Sequence, residues 1–169
     1  LSKLEEPGVF PAPGSNVRYV LSVVSKTEGN FNWQEAWGHL VVSPEAAAAQ
    51  VRSGDLVSTS LPEPTAFLNA LANRTDLEDV TVFVPAPRKG GAAIAQNKKL
   101  ELRAPFLTQI LREANAHAEV VPVRLEDWGR FSVRNPPRVA CVQVGTPLPD
   151  GTVPPGSAIA GNDALVRRA

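Results

Sequence analysis

The first predicted element is a helix over residues 43–52, where the sequence places favourable residues at each position of the first turn. Ser43 is suited to the N-cap and Pro44 to the first helical position, while Glu45 complements the positive end of the helix dipole. Four alanines of high helix propensity follow, and Ser53-Gly54-Asp55 is expected to end the helix in a turn.

Beyond this helix the hydrophobic pattern alternates between a period of about 2 and a period of about 3.6 residues. Phe67, Leu68 and Leu71 share one face of a predicted helix, and Phe106, Leu107, Ile110 and Leu111 share a face of another. The predicted elements are a strand over 56–60, a helix over 64–73, a strand over 81–84, a basic loop over 85–99, a helix over 105–116, a strand over 117–123, a short helix over 125–131 and a strand over 138–144.

The last predicted strand is apolar on both faces, through Val139, Ala140, Cys141, Val142 and Val144. Such a strand is typical of the centre of a sheet that is covered on both sides. The alternation therefore predicts an α/β fold with an open, mostly parallel sheet, helices on both faces, and ligand loops at the carboxyl ends of the strands. Prolines near the N-terminus and in the last third indicate irregular segments there.

Composition narrows the function classes. The 169 residues suit one domain, and 17 Lys+Arg balance 17 Asp+Glu, which disfavours nucleic acid as a partner. Apolar runs are too short for a membrane span, no signal peptide is visible, and a single cysteine fits a reducing, cytoplasmic location. Because methionine is absent even at position 1, we expect the chain to be a piece of a longer one.

Several familiar catalytic and metal-binding motifs are absent from the sequence. One cysteine and two histidines, His39 and His117, do not suffice for a zinc site built from Cys and His, so no metal is expected. There is no dinucleotide fingerprint, phosphate-binding P-loop or nucleophile elbow. Cys141 is interpreted as core filler in preference to a nucleophile, and His117 as a surface residue in preference to a base.

Three loops are candidates for ligand binding. The loop over 58–64 enters a helix N-terminus, where Ser60 and Glu63 either reach a ligand or cap that helix. In the basic loop, Arg88, Lys89 and Lys98 either hold the phosphates of a nucleotide-like cofactor or form a solvated face. The segment from Gln143 to Gly145 ends the central strand in a glycine-containing turn, which either admits substrate or is a plain turn.

A series of short motifs resembles the amino-terminal domain of the acetyl-CoA hydrolase/4-hydroxybutyrate CoA-transferase family. The motifs occur in the family's order across residues 31–163, although each is weak alone. They are FNWQE at 31–35, VSPEAA at 42–47, VRSGDLV at 51–57, EP at 63–64, APFL at 104–107, LREA at 111–114, LED at 125–127 and VQV at 142–144.

The resemblance implies a fold shared with sugar-phosphate isomerases and a reaction on acyl-CoA. In this family a glutamate of a second, carboxyl-terminal domain attacks the thioester and is converted to a glutamyl-CoA, which a carboxylic acid or water resolves. It further implies that residues 1–30 are an extension and that 31–169 are an incomplete domain, with the glutamate on a second chain or segment and an oligomeric enzyme. No catalytic residue is then expected in this chain. The implied acyl pocket comprises Ser60, Leu61, Pro62, Glu63, Gln143 and Gly145, and the residues implied for coenzyme A are Arg88, Lys89 and Lys98.

Two departures from the family pattern leave other functions open. Residues 58–62 are not glycine-rich, and the turn after Asp150 is short and rich in proline, so the acyl pocket is expected to be remodelled. The alternatives are an acyltransferase or acyl-CoA thioesterase on the same fold, or a non-catalytic scaffold subunit of such an enzyme.

Overall fold

A computed structural model describes residues 18–23, 42–145, 148, 154 and 165. The described strands form one six-stranded sheet, in which every neighbouring pair is parallel. The strands are β1 (Arg18–Val23), β2 (Leu56–Thr59), β3 (Val80–Phe83), β4 (Leu100–Ala104), β5 (Glu119–Val120) and β6 (Val139–Val144), in the spatial order β1-β6-β2-β3-β4-β5. The helices are α1 (Pro44–Ala48), α2 (Thr65–Ala72), α3 (Lys89–Gln96), α4 (Gln109–Glu113) and α5 (Trp128–Arg134), the last preceded by the 3₁₀ turn Leu125–Asp127. The predicted α/β fold with a parallel sheet is confirmed.

The strand order determines which face each helix covers. From β2 to β5 the chain steps in one direction across the sheet, and right-handed crossovers place the connecting helices on one face. The step from β5 back to β6 runs the other way, so α5 belongs on the opposite face. Accordingly, Val82 lies in the main core cluster with residues of α1 to α4, whereas Phe83 packs its ring against Trp128 and Phe131 of α5, at centroid distances of 5.1 and 4.7 Å.

Strand β6 lies between β1 and β2, as expected for a strand covered on both faces. Val139 pairs with Val57 and Cys141 with Thr59, and every residue of β6 is buried except Gln143, which is partly exposed. The prediction of a central strand is confirmed.

The N-terminus of α1 is formed as the sequence predicts. The Ser43 hydroxyl accepts a hydrogen bond from the Ala46 N–H at 3.1 Å, and Pro44 occupies the first turn. The helix ends at Ala48 and not at residue 52, and Gly54 makes the following turn with φ of 79°.

The side chain of Arg74 connects the loop that follows α2 to the C-terminal end of α1. Its Nη1 donates to the Ala48 carbonyl oxygen at 2.7 Å, and its Nε and Nη2 donate to the two Asp76 carboxylate oxygens at 2.6 and 2.7 Å. This bidentate hydrogen-bonded ion pair lowers the pKa of Asp76 from 3.8 to about 2.

We expect a carboxyl-detected NMR titration to give Asp76 a midpoint near the pKa of about 2, and Arg74→Ala to return it towards 3.8. Because the folded pKa is depressed, the pair stabilises the fold above the ordinary pKa, and this contribution disappears as the pH falls through about 2. A wild-type midpoint near 3.8 would contradict the assignment.

Three predicted elements are wrong. Residues 85–99 are not a loop but contain α3, whose Gly90 and Gly91 lower its apparent helix propensity. The helix predicted over 105–116 is reduced to α4, since residues 105–108 are not helical; Phe106 is 52% exposed and, of α4, Leu111 alone is buried. The strand predicted over 117–123 is only the two-residue edge strand β5.

The N-terminal boundary also differs from the prediction. Residues 18–23, assigned to an extension, form β1 and pair with β6 along its full length. The family motif at 31–35 lies outside the described residues. None of the described helices combines the length and the apolar character that crossing a bilayer requires.

Candidate functional site

Strands β2 and β6 are neighbours in the sheet although they are far apart in sequence, and their carboxyl ends bring together three predicted site residues. The Ser60 hydroxyl accepts from the Gln143 N–H at 2.8 Å and donates to the Pro62 carbonyl oxygen at 3.0 Å. The Gln143 Nε2 donates to the Glu63 carbonyl oxygen at 3.1 Å. Crevices at this edge of an open parallel sheet, where the chain changes direction, are the usual ligand sites of such folds.

The Glu63 carboxylate is engaged with the N-terminus of α3. Its Oε2 accepts from the N–H groups of Arg88 and Gly91 at 2.8 and 3.1 Å, and its Oε1 accepts from the Gly90 N–H at 2.8 Å. The Thr65 hydroxyl donates to Oε1 at 3.1 Å, and Glu63 is only 4% exposed. The carboxylate therefore satisfies backbone donors that a helix leaves unpaired, and complements the positive end of its dipole.

This arrangement corrects one alternative of the prediction, that Ser60 and Glu63 cap the helix that follows them, whereas their contact with a ligand stays a prediction. The N-cap of α2 is Pro64, which makes no side-chain capping bond. Glu63 instead caps α3, the next helix along the chain, and Ser60 bonds to the end of β6. Both side chains act to position the loops at the carboxyl edge of the sheet.

A cavity of about 220 Å³ opens beside this crevice, and its walls are apolar. The connections that follow β2, β3 and β4 contribute Leu61, Pro85, Ala86, Pro105 and Phe106. Val123 and Trp128, which follow β5, complete the wall. Among the residues predicted for the acyl pocket, Leu61 thus borders the cavity directly, while Ser60, Glu63 and Gln143 hold the loop that carries it.

The aromatic residues of the cavity were not identified from the sequence. The hydrophobic pattern predicts Phe106 on the apolar face of a helix, and no motif in the sequence marks Trp128. The sequence carried a signal only for Pro85, which directly follows the predicted strand over 81–84, because β4, the strand before Pro105 and Phe106, was not among the predicted elements. Trp128 is 3% exposed, and its ring packs against the ring of Phe83.

The structure does not bring the predicted basic residues into one patch. Arg88 and Lys89 are exposed at the N-terminal end of α3, on the side of the sheet where the cavity lies. Lys98 follows the C-terminal end of α3, so it lies at the opposite edge. Neither Arg88 nor Lys89 forms an ion pair with an acid in the part of the chain that the structure describes.

The remaining candidates are Cys141, His117 and Gly145. Cys141 is fully buried, and burial raises the pKa of its thiol well above the ordinary value, as suits the predicted core residue. His117 is exposed, as predicted. The Gly145 N–H donates to the Pro154 carbonyl oxygen at 2.9 Å. Over the described ranges, no three His, Cys, Asp or Glu side chains gather as metal ligands would.

Comparison with known proteins supports the fold. No protein-family model matches the sequence, and no curated protein matches it. The crystal structure of RipA from Yersinia pestis is similar, with a TM-score of 0.52 and 22% identity over 62% of this chain. Two point mutants of RipA match with TM-scores of 0.51 and 0.52, also at 22% identity. The matched region spans 28% of the RipA chain, so the likeness concerns the α/β fold of one part of a longer protein.

Proposed function

We propose that this chain forms the acyl-binding part of a CoA-transferase-like enzyme whose nucleophilic glutamate lies on a second half. The observation that carries the proposal is the apolar cavity at the carboxyl edge of the sheet, bordered by Leu61 and lying beside the crevice between β2 and β6. An acyl group bound there would present its thioester at the edge of the sheet, where a partner domain can approach it.

Two further observations support this proposal. The short motifs that resemble the CoA-transferase family lie in the family's order, and RipA, a CoA-transferase family protein, shares the fold. The chain spans only 28% of RipA, which agrees with a part that works together with a second one. We also assign to Arg88 and Lys89, and not to Lys98, the role of contacting coenzyme A phosphates, because only the first two lie at the N-terminal end of α3, at the carboxyl edge of the sheet.

In the proposed reaction, the glutamate carboxylate of the second half attacks the thioester carbonyl and expels the coenzyme A thiolate. That thiolate then attacks the glutamyl carbonyl of the resulting anhydride and releases the carboxylic acid. An acceptor carboxylate reverses the two steps, so that the enzyme transfers coenzyme A without any change of oxidation state. The part of this chain is to bury the acyl group and to exclude water from the thioester.

The test uses the intact particle that contains this chain together with its second half, identified by mass with an inventory of its chains. Treatment with hexanoyl-CoA followed by borohydride is expected to leave a reduced glutamyl residue on the second half, detectable by peptide mass. Absence of this adduct in the intact particle would refute the transferase proposal. Release of free coenzyme A without a carboxylate acceptor would show that thioester hydrolysis takes place.

A non-catalytic scaffold is the second candidate, and one observation favours it. The polar groups of Ser60 and Glu63 are engaged in internal hydrogen bonds and hold the loops of this chain. Leu61→Trp separates the two candidates because it fills the cavity. A scaffold leaves the rate of the assembled particle unchanged by this substitution, whereas an acyl-binding subunit loses rate with acyl-CoA substrates.

A further inference from the structure

The chemistry of the cavity wall indicates what kind of acyl group it accepts. None of the lining residues carries a charge, and the indole N–H of Trp128 is the one side-chain hydrogen-bonding group among them. An ionised group placed against such a wall would lose its hydration without gaining a partner, which is strongly unfavourable. The wall therefore favours acyl groups that are apolar to their far end.

The volume of the cavity limits the size of the group. An apolar cavity of roughly 150 Å³ already takes up a benzene-sized molecule, whereas sites for whole drug-sized ligands begin near roughly 300 Å³. At about 220 Å³, this cavity has room for an acyl chain of moderate length or an aromatic ring, but not for the pantetheine and nucleotide of coenzyme A as well. Those parts must lie outside it.

The walls are held in place by contacts that do not involve a ligand. The Trp128 ring packs against the Phe83 ring with centroids 5.1 Å apart. The Phe131 ring packs against Phe83 as well, with centroids 4.7 Å apart. On the other side, Thr108 donates to the Pro87 carbonyl oxygen at 2.8 Å and ties the loop after β4 to the loop after β3. Phe106, at 52% exposed, stands at the mouth, where it can cover a bound chain.

We infer, on the basis of the proposed function, that the substrates are uncharged apolar acyl groups of about hexanoyl size, and that the cavity discriminates against acyl groups ending in a carboxylate. Selection comes from the wall at Val123, Phe106 and Trp128 and needs no residue of the second half. It is consequently a property that this chain shows by itself.

The test is a binding experiment with the full chain, carrying ¹³C-labelled Leu, Val and Ala methyl groups. The probes are S-hexanoyl-, S-butanoyl- and S-adipoyl-N-acetylcysteamine, which present the acyl group without the nucleotide. S-Hexanoyl-N-acetylcysteamine is expected to shift the methyl resonances of Leu61, Ala86 and Val123. Each methylene removed is expected to weaken binding about fourfold, the equivalent of ~0.8 kcal/mol, and the adipoyl probe is expected to bind at least about tenfold more weakly than the hexanoyl probe.

A charge placed on the wall provides the matched comparison. Val123→Lys is expected to reverse the preference towards the adipoyl probe, because the ammonium group gives the carboxylate a partner. Val120→Lys is the control: it introduces the same charge three residues earlier, at a position 45% exposed on β5 and outside the cavity. It is expected to leave the preference for the hexanoyl probe intact, and circular dichroism checks that both variants fold.

Equal affinity for the hexanoyl and adipoyl probes, or absence of shifts at all three methyl positions, would overturn the inference even if the glutamyl adduct forms in the intact particle. Conversely, selective binding of the hexanoyl probe combined with absence of the adduct would refute the proposed transferase function and leave an apolar ligand site in place.

Discussion

Replacing Glu63 with alanine is expected to lower the free energy of unfolding by about 3–5 kcal/mol. The substitution leaves the N–H groups of Arg88, Gly90 and Gly91 without their acceptor in a position that water scarcely reaches. It also removes the negative charge that complements the N-terminus of α3. Urea unfolding followed by circular dichroism measures the loss, and amide hydrogen exchange should show that Gly90 and Gly91 lose protection.

Two further variants separate this effect from the loss of any surface carboxylate. Glu63→Gln retains one carbonyl acceptor but turns an amide donor towards the helix, so we expect a loss of about 2 kcal/mol. Glu78→Ala removes a carboxylate that is 72% exposed and forms a 3.3 Å pair with Lys99, and is expected to change stability by less than about 0.5 kcal/mol. If Glu63→Ala were as mild as Glu78→Ala, the capping of α3 by Glu63 would be refuted.

Alanine at Gly90 or Gly91 is expected to destabilise the protein by about 1–3 kcal/mol, although alanine is the better helix former. A Cβ at Gly90 would lie 2.9 Å from the Leu68 Cβ and 3.2 Å from the Glu63 Oε1. A Cβ at Gly91 would lie 2.6 Å from the Pro87 Cβ. The two glycines therefore permit α2 to pack closely on α3 and the Glu63 carboxylate to reach its donors.

The sign of the effect distinguishes packing from propensity. On propensity alone, Gly90→Ala would stabilise by about 1 kcal/mol, and Ala93→Gly in the same helix would destabilise by a similar amount. Packing instead predicts that both substitutions destabilise the protein. Gly90→Ala does so through the close contact of the added Cβ, and Ala93→Gly does so through the loss of helix propensity alone, because Ala93 is partly exposed. A Gly90→Ala variant more stable than the wild type in urea unfolding would contradict the close packing of α2 and α3.

These two predictions concern a single structural unit that carries the candidate site. The Glu63 carboxylate links the loop after β2 to the loop after β3 through its hydrogen bond with the Arg88 N–H. The backbone carbonyl oxygen of Glu63 accepts a hydrogen bond from the Gln143 Nε2 at the end of β6. Leu61, two residues earlier, borders the cavity. A change at Glu63 is thus expected to affect acyl binding through the position of the loop, without any direct contact with the acyl group.

Elements that depend on neighbouring residues were predictable from the sequence. The capping of α1 by Ser43 joins residues three apart, and the burial of β6 is visible in its continuous apolar run. Helix α3 was not predicted because its two glycines have low helix propensity. The close packing of Leu68 against α3, which favours glycine there, is visible only in the tertiary structure. Strand β1 was missed because pairing with β6 brings together residues more than a hundred positions apart.

The sequence by itself determined the α/β class and the central position of the last strand, and it proposed three segments after strands as places for ligand chemistry. Only the tertiary structure decided what those segments do. It placed the Glu63 carboxylate on backbone donors 25 to 28 residues away, separated Lys98 from Arg88, and assembled an apolar cavity from four connections. The physical reason is the sequence separation of the interacting residues. Helix caps and hydrophobic periodicities involve residues within one or two turns of each other, whereas a cavity, or a carboxylate that bonds to a distant helix, depends on the order of strands in the sheet.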